Sequence, residues 1–306
     1  MIPARVGGMI SVANAGTSRG RPDARLRWEA LDWGHEIPEA AAGLPEGNFL
    51  DLSGLGLSGA QRARLNRYFC CFTCELFIHF EGYLITYLER RSGEIPGLSA
   101  AMVQRFLHEE RVHSEMFRRL LNRLAPSRYP DEGAPLRYLT WWAGDDAALR
   151  LAPTGSFFLL AWLFEEITLF VPQVIDEGEV PCDPLVASVM RLHAREELPH
   201  VALDERVLEH LTRGIPRWRA AAHSVLTLPL LVYVDHEFQR AWARLVGEAG
   251  DELGLDARQR RGLLARGPSQ TDRLGMASFA DKLRGNGLPG VGLLGWVLRR
   301  ELQRHA

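Results

Sequence analysis

The chain has 306 residues, 46% of them hydrophobic, and a formal net charge of −2. That is enough apolar material for a sizeable core. The balanced charge, with no long basic run and no interleaved basic–aromatic patch, excludes a dedicated nucleic-acid binder. Four cysteines in a chain of this length make no disulfide framework.

The first thirty residues, "MIPARVGGMISVANAGTSRGRPDARLRWEA", lack a continuous apolar core. They read as a Gly/Arg-rich flexible arm, not as a signal peptide, and a cytoplasmic protein is expected. Residues 1–58 form this arm and a lead-in segment, with "GLPEG" and "LSGLGLSG" as turn signals. From Gln61 the pattern is helical. "QRARLNRYFCCFTCELFIHFEGYLITYLERR" predicts a long helix ending near "SGEIPG", and its Cys70, Cys71 and Cys74 are expected to be buried reduced thiols, while Cys182 stands alone. "LSAAMVQRFLHEERVHSEMFRRLLNRL" predicts a second helix with Ser99 as N-cap, followed by the loop "APSRYPDEGAP".

A short helix is expected over "LRYLTWWAGDDAALR". The third main helix spans 156–171, with Thr154 or Ser156 as its cap and Pro172 near its end. Its apolar run falls short of the ~18–20 residues of a membrane span and carries two carboxylates, so no membrane partner is expected. "DPLVASVMRLHAREELPHVALDERVLEHLTR" predicts the fourth helix; others follow around 217–248, 256–265 and 291–303. With few period-2 alternations and no βαβ rhythm, residues 59–306 read as a single all-α domain.

The chemistry lies in a weak internal repeat. "EERVH" supplies Glu110 and His113, and "EELPH" supplies Glu197 and His200. Each Glu-x-x-His pair puts a carboxylate and an imidazole about 60° apart on one helix face. Each is preceded at about thirty residues by a carboxylate in an apolar helix. In the first helix that group is Glu75 or Glu81, and in the third Glu165 or Glu166; hydrophobic periodicity decides neither pair. Burying an unpaired carboxylate costs several kcal/mol or more unless it is paired, protonated or metal-bound.

One Glu from each of two helices plus Glu-x-x-His from the other two is the pattern of a di-iron or di-manganese four-helix bundle. Carboxylate and imidazole donors suit Fe or Mn. The bundle core is expected at about residues 61–212. His193 stands four residues before Glu197, on the stripe that also carries His200. Glu109, Glu115 and Glu196 read as ordinary solvated charges, and His79, His108, His210, His223 and His236 as structural or surface groups, with His79 one turn after Glu75.

These residues resemble the AurF-type N-oxygenases, di-iron enzymes that oxidise an arylamine nitrogen. The likeness rests on the twice-repeated Glu and acid-Glu-x-x-His, here Glu75 to "EERVH" and Glu166 to "EELPH", with His193 as the additional histidine. It implies a ferritin-like four-helix bundle with additional C-terminal helices. One iron would be held by Glu75, Glu110 and His113, and the other by Glu166, His193, Glu197 and His200. The family spacing favours Glu75 over Glu81 and Glu166 over Glu165. It also implies O₂ and a small amine as substrates, an external donor such as a ferredoxin or flavin reductase, and a role in biosynthesis. A homodimer is expected, with Arg105, Arg195, Tyr83, Trp162 and Phe164 as candidates for binding a carboxylate and a ring.

Two departures from the family pattern stand out. The acid before each motif Glu is usually Asp and is here Glu109 or Glu196, and Pro199 sits between two candidate ligands, where it removes a backbone hydrogen bond. The rival readings are a ferritin-type iron store, a radical-generating subunit with Tyr83 or Tyr87 near the metal, and a purely structural bundle.

Overall fold

The computed structural model describes residues 24–39, 43–44, 50–95, 97–139, 153–177, 182–213 and 216–266. Among them there is no strand. Seven helices follow one another: α1 (Ala24–Glu29), α2 (Gly59–Arg91), α3 (Ala100–Leu124), α4 (Thr154–Glu177), α5 (Pro184–Thr212), α6 (Arg217–Glu252) and α7 (Ala257–Arg266). The expected helix at 291–303, most of the one over 136–150 and the first 23 residues lie outside the described residues.

Local chemistry sets the helix ends. Ser58 caps α2 in a reciprocal box, its Oγ accepting from Gln61 N while Ser58 N donates to Gln61 Oε1. Ser99 caps α3 as expected, accepting from Met102 N. Asp183 caps α5, accepting from Leu185 and Val186 N, with Pro184 as the first helical residue. Caps of this kind contribute about 1 kcal/mol each. α4 runs past Pro172 to Glu177, further than the proline suggested, and α5 is continuous through Pro199. By length and composition alone, α2 and α4 each hold a stretch apolar enough to cross a membrane, but most of each stretch is buried in the protein.

The α2–α3 and α4–α5 hairpins pack as a four-helix bundle, with α6 laid against α4 and α2 and α7 against α6. The all-α bundle expected from the sequence is the fold observed. Its apolar interior is not continuous. One cluster reaches Ile78 on α2, Val112 on α3, Val171 on α4 and Leu192 on α5. The other begins at Phe80, Leu107, Leu163 and Val201 on the same four helices. The break between them falls at one level of the bundle, and the candidate ligands occupy it.

The described residues of the lead-in segment are held at several points. α1 packs on α3 and α5. Trp28 and Trp33 meet edge to face at 5.6 Å, and the Arg119 guanidinium lies over both rings, 5.4 and 4.7 Å from their centroids. Further on, Asn66 on α2 grips the backbone of Leu44 at both N–H and C=O. Beside it, the Cys182 thiol donates to Gly43 O. A Cβ at Gly43 would stand 2.6 Å from Cys70 Cβ, which is fixed to the α2 backbone. Gly43→Ala is therefore expected to destabilise the fold by about 1–3 kcal/mol, as overpacking does. Chemical denaturation would show it as a lower midpoint at unchanged slope.

Candidate metal centre

At the break in the core, α2 supplies Glu81, α3 supplies Glu110 and His113, and α5 supplies His193, Glu197 and His200. All six side chains are buried. Their donor atoms form two overlapping groups, Glu81/His113/His193/Glu197 and Glu110/His113/Glu197/His200, each within a 4.8 Å compass. His113 and Glu197 belong to both. Glu197 Oε1 lies 3.1 Å from His113 Nδ1 and 2.7 Å from His193 Nε2, while its Oε2 lies 3.0 Å from His200 Nδ1. His200 Nδ1 is also 2.8 Å from Glu110 Oε1, and His193 Nε2 is 3.2 Å from Glu81 Oε1.

The structure places Glu75, the residue the family spacing favours, outside both donor groups. That carboxylate is fully buried, but its oxygens accept from Tyr129 Oη at 2.8 Å and from the backbone N–H groups of Arg137, Tyr138 and Leu139 at 2.6, 2.8 and 3.1 Å. It pins the loop after α3 and is absent from both donor groups. Helix geometry gives the reason. Glu81 is ten residues before Arg91, the end of α2, and Glu110 is ten residues after Ala100, the start of α3. The two carboxylates therefore sit at one height above the hairpin turn. Glu75 is six residues further away, about 9 Å along the axis.

On α4 the adjacent pair resolves the same way. Neither Glu165 nor Glu166 stands in the two compact groups. Glu165 is the one that faces them: burial pushes its carboxyl well up, and Asp204 and Glu197 push it further, while His200 works the other way. The nearest partner of Glu165 is the carboxyl of Asp204. Glu166, which the family spacing favours, is buried as well, while Glu165 is the one set beside Asp204 and Glu197. Asp204, one turn after His200, was missed altogether. It is buried, and burial raises its carboxyl well above the usual range, with the charges of Glu110 and Glu197 adding to the shift.

Glu109 and Glu196 are also not the solvated charges expected. Glu196 Oε2 lies 2.9 Å from His113 Nε2 and Glu109 Oε2 lies 3.0 Å from His200 Nε2, so the acid of each motif meets the imidazole of the other. Each acid is backed by an arginine. Arg105 Nε and Nη2 donate to Glu109 Oε1 at 3.2 and 3.1 Å, and Arg27 Nε donates to Glu196 Oε1. Opposed by burial, His200 and Arg105 bring the Glu109 carboxyl down to about 2. With Nε2 of His113 and His200 turned to these carboxylates, the nitrogens facing the cluster are Nδ1. Ser114 Oγ donates to Glu81 Oε2 at 2.6 Å.

Phe77 and Phe117 pack on the His193 ring at 5.0 and 4.7 Å, and Phe106 on His200 at 4.3 Å. Of the five substrate candidates, Arg105 holds Glu109, Phe164 stacks on Phe80 at 4.3 Å, Tyr83 packs on Phe157 at 5.5 Å, Trp162 is fully buried, and Arg195 is exposed with Nε on the Arg191 carbonyl. His79 takes no part in the cluster; burial and the Arg118 charge lower it to about 4.

The donor set fits two divalent cations. Glu81 Oε1, both oxygens of Glu110, His113 Nδ1 and both ring nitrogens of His193 are buried with no aligned hydrogen bond, although several lie within reach of each other. Such a mesh of orphaned donors is costly unless something cationic joins them. The four carboxylates Glu81, Glu110, Glu165 and Glu197 would balance two doubly charged ions, and three imidazoles complete a carboxylate-rich set suited to Fe or Mn.

A sequence model of p-aminobenzoate N-oxygenase AurF matches residues 55–280. The chain belongs to the AurF family. No match was found among curated proteins or among solved structures. The AurF span contains the whole bundle and both hairpins, and it begins after α1.

Proposed function

We propose that the protein is a di-iron oxygenase that uses O₂ to oxidise the nitrogen of a small amine. The observation that carries this is the pair of overlapping Glu/His groups, buried at the break between the two apolar clusters of the described residues and sharing His113 and Glu197. Membership of the AurF family points to the same chemistry. The revised ligand set is Glu81, Glu110, His113, Glu165, His193, Glu197 and His200, with Glu197 reaching both positions.

When bound in the ferrous state, iron supplies the electrons and the Lewis acidity for O₂ reduction. The protein's groups do the rest. Glu109 and Glu196 hold Nε2 of His200 and His113, which aims Nδ1 inward and fixes both rings. Phe77, Phe106 and Phe117 keep bulk water from the imidazoles. Asp204, one helical turn after His200 and outside the ligand set, is buried, and burial favours its protonated form. For the first oxidation level the balance is amine, O₂, two electrons and two protons giving hydroxylamine and water. The electrons require an external donor such as a ferredoxin or flavin reductase, and a cytoplasmic setting suits that supply.

The test is a single turnover of ferrous-loaded protein with ¹⁸O₂ and p-aminobenzoate or a panel of other amines. About two irons per chain and one labelled oxygen on the product nitrogen are expected. Iron-loaded protein that consumes O₂ without labelling any amine would indicate an iron store or oxidase. Folded protein that takes no iron would leave only a structural bundle.

A further inference from the structure

We infer that Arg27, on the short helix α1, is a positioning residue for one half of the metal centre, acting through Glu196 on His113; this rests on the reading of the Glu/His cluster as a metal site. α1 stands outside the four-helix bundle and before the span matched by the AurF family. It is nevertheless seated on α3 and α5, the two helices that carry the Glu-x-x-His pairs. Trp28 anchors it, buried against Trp33, whose Nε1 donates to Trp28 O at 2.7 Å.

From that seat Arg27 Nε donates to Glu196 Oε1, and the side chain is only 16% exposed. Glu196 is a buried carboxylate with two oxygens to satisfy. With Arg27 on Oε1, Oε2 is held against His113 Nε2 at 2.9 Å. The imidazole then has one orientation, with Nδ1 3.1 Å from Glu197 Oε1 and 3.8 Å from Glu110 Oε2. The other half of the centre has the same relay, Arg105 to Glu109 to His200, but there the arginine is one turn away on the same helix. Only the His113 half draws its arginine from outside the bundle. Groups that orient a ligating histidine typically change metal affinity 10–100-fold when removed.

The experiment is a titration of the full chain with Co(II), read by its visible absorption, alongside a thermal melt of each metal-free variant. Wild type should take up two Co(II). Arg27→Met should weaken one of the two by about tenfold or more and alter its band, whereas Arg27→Lys, which keeps the cation, should recover most of the affinity. Arg25→Ala, on the same helix as Arg27, removes an exposed pair with Glu115 of α3 and should leave both ions unchanged. In a Glu196→Gln background, Arg27→Met should add no further loss. The inference is overturned if Arg27→Met binds both ions as wild type does, if Arg25→Ala gives the same loss, or if the Arg27 and Glu196 effects add independently. If wild type takes up no Co(II), the metal-centre reading itself falls, which is a different result.

Discussion

Glu81→Ala is expected to remove one metal equivalent from the protein, whereas Glu75→Ala should keep both and lose stability. The two glutamates share a helix and are both fully withdrawn from water, yet their oxygens face different partners. Glu81 has one oxygen on Ser114 and one aimed at His193, in a group of four potential ligands. Removing it takes away an anionic donor and leaves little else to rearrange. Glu75 has its two oxygens taken by one hydroxyl and three backbone N–H groups. Truncating it strands those donors away from water, a loss of about 3–5 kcal/mol by analogy with broken buried pairs. For a chain of this size that lowers the melting temperature by roughly 5–8 °C. Iron analysis and a melt on the two variants separate the roles. Loss of iron from Glu75→Ala with the melt unchanged would reverse the assignment.

Metal binding is expected to release protons and to tighten steeply as pH rises. Burial works to lower the imidazoles of His113 and His200, but the carboxylates around them win: Glu110, Glu196 and Glu197 raise His113, and Glu197, Glu110 and Glu109 raise His200, both well above the ordinary range. Glu197 is correspondingly lowered, with His193 and His200 overcoming its burial. Glu81 is pushed up to about 7, chiefly by burial. Without metal, then, near-neutral protein holds protons on the very groups a cation must claim. A ligating imidazole has to be neutral and a ligating carboxylate ionised, so each ion displaces protons. The sign follows: affinity increases with pH, about tenfold per unit for every proton displaced, between roughly pH 6 and 8. Mn(II) titration calorimetry in buffers of different ionisation enthalpy would count the protons. Affinity that is flat over this range would mean that the rings are already neutral in the free protein.

The bundle was legible because its signals are local. Ser99 sits at a helix start, and the 3.6-residue apolar pattern runs on from it; the capping roles of Ser58 and Asp183 came only with the structure. The Glu-x-x-His pairs and His193 were legible for the same reason, since one helix face carries each set. Less legible was the comparison across a hairpin. The spacing of the family motif favoured Glu75, but a hairpin matches height above the turn, and that depends on where α2 ends and α3 begins. Counting outward from the connector between Arg91 and Ala100 finds Glu81 at the level of Glu110. For Glu165 and Glu166 no count along the axis helps, because adjacent residues differ mainly by 100° of rotation. Asp204, Arg27 and the roles of Glu109 and Glu196 depend on contacts between distant segments. A charged residue on a helix gives no sign of which distant partner will bury it.

The crossing of the two motifs has a consequence for how the molecule is put together. Glu109 of the first hairpin meets His200 of the second, and Glu196 of the second meets His113 of the first. Neither half is a finished module that could be loaded and later joined to its twin. As the chain leaves the ribosome, the first hairpin must wait with its acid and its imidazole unmatched until nearly a hundred further residues have emerged. Docking of the halves and completion of the Glu/His cluster are one event, and a change to either motif is felt first in its twin.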